Sequence, residues 1–290
     1  FPNRRRIVMV GLISGLFLAL LVGLLIEWLD PRIRSVEEFQ HLFELPVLGT
    51  IPKMKEGDLG DVIPSRIASD LPKSVAGESF RTLRTNVKFS HARNSGNTLL
   101  VTSSVPQEGK TTISSNLAAT IALSGRRVVL VDADLRNPGI SHAFELNHGP
   151  GLAHLLSGEI TDYREALRET SVENLYVLPA GLIPPNPSEL LDSVVLKEIL
   201  DALSKDFDQV VIDSAPVLAV ADTSIIASVA RNVLLVFGME KMNRTLIQRT
   251  IRQLEAAGAH LYGATLNRLT PEGQGYYYYA YTGAYSADAK

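Results

Sequence analysis

The sequence predicts an α/β fold, a doubly wound and mostly parallel sheet, preceded by one transmembrane helix. Three observations lead there. Runs such as Val128–Val131 and Val210–Ile212 are apolar at every position, the mark of central parallel strands covered on both faces by helices. Such runs alternate with helical patterns, which requires crossover connections and hence a parallel sheet. Near the N-terminus, Ile7 to Ile26 is free of charge, long enough at ~1.5 Å per residue to cross a bilayer core of ~30 Å.

In chain order, the apolar stretch 7–26 follows Arg4, Arg5 and Arg6 and is closed by Glu27 and Asp30, with Trp28 placed for the interface. A signal peptide would have a shorter apolar region and a small-residue cleavage site, and none follows. Residues 1–30 are thus read as the membrane segment. Residues 31–72, with prolines at 46, 52, 64 and 72 and glycines at 49, 57 and 60, are read as an irregular juxtamembrane linker with one short helix near 36–43. Lys73 to Arg93 has helical spacing and opens a domain spanning 73–268. There the pattern predicts strand 98–102, helix 110–124, strand 127–132, helices 151–157 and 161–169, and strand 174–178. Helix 188–204, strand 209–213, helix 221–229, strand 232–238, helix 244–257 and strand 261–266 complete it, and 269–290 form a tail. The chain begins with Phe1 rather than Met, so it is read as the C-terminal part of something longer.

Composition narrows the function. The 290 residues include no cysteine, which excludes disulfides and thiol chemistry, and a net charge of −3 leaves no footprint for nucleic acid.

The most informative stretch runs from Thr102 through Ser103, Ser104, Val105, Pro106, Gln107, Glu108, Gly109, Lys110 and Thr111 to Thr112, after one apolar run and before a helical pattern. It reads as a P-loop: backbone N–H groups of the turn cradle phosphates, Lys110 reaches the terminal phosphates, and the Thr111 hydroxyl ligates Mg²⁺. The predicted phosphate-binding set is Ser104, Gln107, Glu108, Gly109, Lys110, Thr111 and Thr112. Ser104 stands where the motif usually begins with glycine. Two more runs end in carboxylates, one at Asp132 and Asp134, the other at Asp213. A single such Asp is ordinarily a cap or turn former. Three of them join the P-loop at the carboxyl rim of the sheet, where open α/β sheets bind ligands, and together they predict a P-loop NTPase with a nucleotide–Mg²⁺ site. A nucleotide site requires the cytoplasm, so the long C-terminal part is placed inside, overruling Arg4–Arg6, which favour an inside N-terminus against Arg32 and Arg34.

These motifs, together with Glu78-Ser79-Phe80-Arg81-Thr82-Leu83-Arg84, the segment Pro184-Pro185-Asn186-Pro187-Ser188-Glu189-Leu190-Leu191 and a terminal tyrosine cluster, resemble the bacterial tyrosine kinases attached to polysaccharide chain-length copolymerases. The resemblance implies ATP and Mg²⁺ as cofactors and Lys110, Asp132, Asp134 and Asp213 as catalytic residues. Thr111, Asp132 and Asp213 would hold the metal. Asp132 or Asp134 would accept the tyrosine proton, with Asp132 ranked first. Asn267 resembles an adenine-contacting asparagine, its alternative being a strand-end turn residue. An extracytoplasmic copolymerase domain would lie upstream of Phe1.

Glu78, Arg81 and Arg84 cover about 120° of one helix face at ~100° per residue. The resemblance makes this stripe an oligomerisation element rather than a solvated face, and implies a homo-oligomeric ring. Six of the nine tyrosines, Tyr276, Tyr277, Tyr278, Tyr279, Tyr281 and Tyr285, lie among small and polar residues at the C-terminus and are read as autophosphorylation sites. Eight residue steps from Arg268 to Tyr276 span nearly ~30 Å at ~3.3–3.6 Å per residue, enough to reach a neighbouring subunit. The implied setting is the bacterial inner (cytoplasmic) membrane with the kinase domain in the cytoplasm. The implied partners are the polysaccharide polymerisation and export machinery and a cognate phosphotyrosine phosphatase. Two readings compete: a partitioning-type P-loop ATPase switch, which would carry a lysine where this chain has Ser104-Val105, and a non-catalytic ATP-sensing regulator of polymer length.

Overall fold

The computed structural model of the chain describes residues 3–29, 31–54, 56–60, 62–91 and 96–270. Asp30 and the six tail tyrosines lie outside the described residues. The chain divides into two units, Phe1–Arg32 and Ile33–Lys290. The first is helix α1 (Arg4–Leu29), whose Ile7–Leu25 stretch is long and apolar enough to cross a membrane.

The second unit begins with α2 (Val36–Phe43), β1 (Val47–Pro52), the short α3 (Glu56–Leu59) and α4 (Ile67–Asp70), and the long α5 (Val75–His91). Next come β2 (Thr98–Ser103), α6 (Lys110–Ala122), β3 (Val128–Asp132), α7 (Ile140–Ala143), α8 (Leu152–Leu156), α9 (Tyr163–Ala166), β4 (Arg168–Glu169) and β5 (Leu175–Leu178). The remainder is α10 (Pro187–Leu191), α11 (Val194–Asp206), β6 (Gln209–Asp213), α12 (Asp222–Ala230), β7 (Asn232–Gly238), α13 (Arg244–Ala256) and β8 (His260–Leu269).

The eight strands form one sheet in the order β1-β8-β7-β2-β6-β3-β5-β4. Every pairing is parallel except β4 with β5. The doubly wound α/β reading is therefore correct. Strand side chains alternate between two cores, which is why the runs are apolar throughout. Leu100, Val129, Val131, Val210 and Ile212 face one core with α8, α11, α12 and α13. Leu99, Val101, Val128, Leu130 and Val211 face the other with α5 and α6. The chain leaves β2 toward β3 but leaves β7, on the other side of β2, toward β8, which opens a crevice at the carboxyl ends of β2 and β7.

Three sequence expectations need correction. Residues 31–72 are not irregular throughout: 47–52 form β1, paired with β8, and Ile33, Phe39, Leu48, Ile51 and Ile67 are buried. Prolines 46 and 52 disguised the strand, yet proline is tolerated at the ends of an edge strand, where no ladder donor is required. The expected helix 36–43 is present, capped by the Ser35 hydroxyl, which accepts from the Glu38 N–H at 3.2 Å. Second, 161–169 is not one helix, since α9 ends at Ala166 and Arg168 and Glu169 pair antiparallel with β5. Third, 188–204 divides into α10 and α11 at Asp192-Ser193.

Phe39 shows how firmly the misread segment is held. Its ring is fully buried, 5.1 Å from Phe43 and 5.5 Å from Phe237 of β7. Phe39→Ala is expected to cost about 3–5 kcal/mol, measured by chemical denaturation. A loss under about 1 kcal/mol would mean that α2 is only loosely attached.

Candidate functional site

The loop between β2 and α6 is built by two left-handed residues, Gln107 (φ 65°) and Gly109 (φ 93°). Gln107 thus adopts the conformation that its side chain disfavours, at a cost of roughly 1–2 kcal/mol. Lys241, just beyond β7, offsets this by donating to the Pro106 carbonyl at 2.8 Å and to Gln107 Oε1 at 3.3 Å. At Gly109 a Cβ would lie 2.1 Å from Asn267 Nδ2, so glycine is required for space as well as for φ. Because α6 starts at Lys110, its first N–H groups have no intrahelical acceptor and make an anion site at the rim.

Not every residue expected to meet phosphate presents its side chain there. The Glu108 carboxylate is buried and accepts from the Val105 N–H at 2.9 Å and the Gly238 N–H at 3.3 Å, tying the loop to β7. Burial pushes its carboxyl up to about 7 against those two hydrogen bonds. The Ser104 hydroxyl likewise points into the fold, accepting from Thr250 Oγ1 at 2.8 Å. Both can meet a phosphate only through the backbone.

Lys110, Thr111 and the three aspartates do come together. Lys110 Nζ lies 2.8 Å from Asp134 Oδ2, and the Thr111 hydroxyl donates to Asp213 Oδ2 at 2.7 Å. Asp132 and Asp213 are register partners on β3 and β6, so their carboxylates sit side by side at the rim. Asp132 Oδ2 accepts from the Ile140 N–H at 3.0 Å, and Asp134 Oδ1 accepts from the Asn137 N–H at 3.0 Å. Asp132 Oδ1 and Asp213 Oδ1 are buried with no hydrogen-bond partner among the described residues.

The electrostatics follow from that crowding. Burial opposes the Lys110 charge, but Asp213 and Asp134 outweigh it and raise its pKa. Burial, followed by the Asp213 charge, pushes the Asp132 carboxyl up to about 7. Burial also raises Asp213, with Lys110 and the Thr111 hydroxyl opposing. Two orphaned carboxylate oxygens beside a threonine hydroxyl suit a hard divalent cation, which takes one or two protein carboxylates and leaves its other positions to water and phosphate.

A cleft of about 440 Å³ adjoins this rim, with Gly109, Thr112 and Asn267 on one side and Pro52, Met54 and Pro64 on the other. Asn267 borders it, but its Nδ2 donates to the Glu108 carbonyl at 2.9 Å and its Oδ1 accepts from the Arg268 N–H at 2.9 Å. Sequence reasoning missed the part played by 52–64, whose proximity to the loop depends on β1 pairing with β8. It also missed a clamp at the other end of the rim. Arg136 holds the Asp222 carboxylate at 2.7 and 3.1 Å and donates to the Ser188 hydroxyl at 2.9 Å. This joins the loop after Asp134 to the proline-rich segment 184–191. Although burial opposes it, hydrogen bonds from Arg136 and Ser188 hold Asp222 below the usual carboxylate range.

The proposed oligomerisation stripe is less uniform than its sequence. Glu78 and Arg81 pair with each other at 2.5 Å, whereas Arg84 Nη1 reaches the Thr120 carbonyl of α6 at 3.2 Å.

With this geometry in place, comparison with known proteins gives one answer. Residues 107–261 match the family model described as AAA domain. The protein named putative tyrosine-protein kinase CapB, of Staphylococcus aureus, is 38% identical over 73% of this chain and 92% of its own length. The chain belongs to the bacterial tyrosine kinases. Its fold superposes on the kinase domain of the Escherichia coli tyrosine kinase Etk with a TM-score of 0.76, at 30% identity, covering 82% of this chain and 95% of that one. A more distant likeness, TM-score 0.53 at 26% identity over 59% of this chain and 70% of the other, is to the septum site-determining protein MinD of Pyrococcus horikoshii, solved with Mg-ADP. The chain spans only 38 to 41% of the length of the longer curated tyrosine kinases that it matches.

The raised Asp132 pKa has a direct consequence. The folded chain holds this proton more tightly than the unfolded chain, so the stability it contributes is complete below the ordinary carboxylate range and is lost as pH rises through about 7. Asp132→Asn is therefore expected to stabilise the chain at pH 8 by about 1–2 kcal/mol, roughly 2–8 °C in Tm, and to change little at pH 4. Thermal melts without nucleotide or divalent cation check this; an equal effect at both pH values contradicts it.

Proposed function

We propose that this chain is a membrane-anchored kinase that uses Mg²⁺-ATP to phosphorylate its own C-terminal tyrosines and thereby regulates polysaccharide polymerisation and export. The observation that supports it most is the pair of orphaned oxygens, Asp132 Oδ1 and Asp213 Oδ1, next to a lysine and a threonine at the mouth of a phosphate-binding loop, in a chain whose relatives are named tyrosine-protein kinases.

Phosphoryl transfer depends mainly on positioning and charge neutralisation. Lys110, which keeps its charge through the working pH range, would clamp the β- and γ-phosphates. Thr111, Asp213 and Asp132 would hold Mg²⁺, which when bound neutralises phosphate charge. A free tyrosine has a pKa of ~10 and needs a proton acceptor as it attacks. Both oxygens of Asp134 are engaged, one by Lys110 and one by the Asn137 N–H. Asp132 keeps one oxygen free of protein partners; with Thr111 and Asp213 contacting the metal directly and Asp132 contacting it through water, that oxygen supports Asp132 as the base. Asn267 would border the adenine in the cleft beside Gly109.

The apolar helix α1 supports a membrane anchor, with the kinase unit in the cytoplasm where ATP is. The stripe Glu78, Arg81 and Arg84 on α5 would form the contact between copies. Polymerisation and export components and a phosphotyrosine phosphatase complete the proposed partners.

The decisive experiment is phosphotyrosine formation by the purified chain with Mg²⁺-ATP. Lys110→Met is expected to lower it at least a hundredfold, about 2.7 kcal/mol of transition-state stabilisation, while leaving the circular-dichroism spectrum intact. Replacing the six tail tyrosines by phenylalanine should abolish the signal but not ATP binding. A folded Lys110→Met chain with wild-type activity would overturn the assignment. Absence of phosphotyrosine from a chain that binds ATP would favour the ATP-sensing regulator.

A second test concerns assembly. The triple change Glu78→Ala, Arg81→Ala, Arg84→Ala should leave a monomer by light scattering, with autophosphorylation reduced at least tenfold. An unchanged oligomer removes the stripe from the contact.

A further inference from the structure

A second cleft, of about 350 Å³, lies at the opposite edge of the sheet from the catalytic rim, where β3 and β6 begin and α5 and α6 end. Its floor is apolar, from the buried Val87 and Ile121, and its walls carry Arg84, Lys88, Arg126 and the ring of Phe89, which is 66% exposed. Among the described residues, no acidic one lines it. The two arginines are held by backbone carbonyls rather than carboxylates: Arg84 Nη1 donates to Thr120 at 3.2 Å and Arg126 Nη2 to Asp208 at 2.5 Å. Carbonyl acceptors fix a guanidinium without neutralising it, so the cleft keeps its positive charge. In a chain whose net charge is −3, such a concentration of cations beside an exposed aromatic ring is not an average of the surface.

We propose that this cleft binds the aryl phosphate of phosphotyrosine, the ligand being the chain's own C-terminal segment once it is phosphorylated. Each part of the cleft has a counterpart in that group. Guanidinium forks match phosphate oxygens bidentately, and lysine adds a point charge. The Phe89 ring offers an edge or face to the tyrosyl ring. The apolar floor accepts the ring's remaining surface. A phosphorylated tyrosine supplies about −1.5 to −2 charges, where an unmodified one supplies none, so the site discriminates product from substrate. A tail held here is withdrawn from Asp132, Asp134 and Asp213. The proposal rests on the tail being the kinase's substrate, and its test is independent of turnover.

The test uses the full chain, dephosphorylated and free of nucleotide, with a synthetic fluorescent peptide of residues 273–285 carrying phosphate on Tyr281. Anisotropy should show at least tenfold tighter binding than for the unphosphorylated peptide. Lys88→Glu with Arg126→Glu should lower that affinity at least tenfold while leaving ATP binding at the distant rim unchanged. Phe89→Ala, which alters no charge, should weaken the phosphotyrosine peptide several-fold and a phosphoserine version of it hardly at all. Equal binding of phosphorylated and unmodified peptides, or full affinity in the charge-reversed chain, overturns the proposal. So does displacement of the peptide by inorganic phosphate at equal concentration, which would make the cleft a simple anion site. Because the peptide is phosphorylated chemically, a chain lacking kinase activity still tests the cleft.

Discussion

Pairing of β3 with β6 sets Asp132 directly beside Asp213, and neither carboxylate is exposed to solvent. Two like charges in a low-dielectric site cannot both ionise freely, so much of the local structure compensates for that one juxtaposition. Lys110 lies against Asp134 and within the field of Asp213, and the Thr111 hydroxyl donates to Asp213. Among the described residues, these three carboxylates nevertheless share one ammonium, and two of their oxygens are left without partners. A bound divalent cation reverses the local pKa logic. The fold thus holds an acidic site in tension, sustained by a sheet whose apolar side chains are covered on both faces.

The phosphate-binding loop depends on that arrangement and on contacts from the other side of the crevice. Glu108 ties it to β7, Asn267 of β8 takes the Glu108 carbonyl, and Lys241 grips Pro106 and Gln107. These ties allow a non-glycine residue at φ 65°: a strained turn persists when its neighbours over-determine it. The cost of ordering the loop is met in folding, which leaves less to be paid when a phosphate enters.

Much of this was legible in the sequence because it is local. The loop, its lysine and the three strand-end aspartates are read from contiguous residues, and the apolar runs between them give both the sheet and its doubly covered character. What was not legible depends on long-range pairing. Strand β1 carries proline and glycine and becomes a strand only by adding to β8, more than 200 residues later. The inward turn of Glu108 depends on a free N–H of Gly238, 130 residues away. Arg136 and Asp222 were ordinary charged residues until the fold placed them 2.7 Å apart. The division of the α5 stripe, with Arg81 taken by Glu78 and Arg84 by Thr120, likewise required knowing that α6 packs against it.

That division bears on regulation. At ~100° per residue, Arg81, Arg84 and Lys88 fall within about 60° of one another on α5, so the proposed subunit contact and the proposed phosphotyrosine cleft share one side of a single helix. A neighbour seated on that side and a phosphorylated tail in the cleft would compete for Arg84, and two ligands that exclude each other from a shared residue are negatively coupled in equal measure. Phosphorylation would then oppose assembly in two ways. Charge repulsion between modified tails is long-ranged and fades over a Debye length of ~8 Å at physiological salt. Competition for Arg84 is stereospecific and survives added salt better, because part of its strength comes from ring contacts. Salt dependence of disassembly therefore separates them: loss of the effect at high ionic strength points to repulsion alone, and persistence points to occupancy of the cleft.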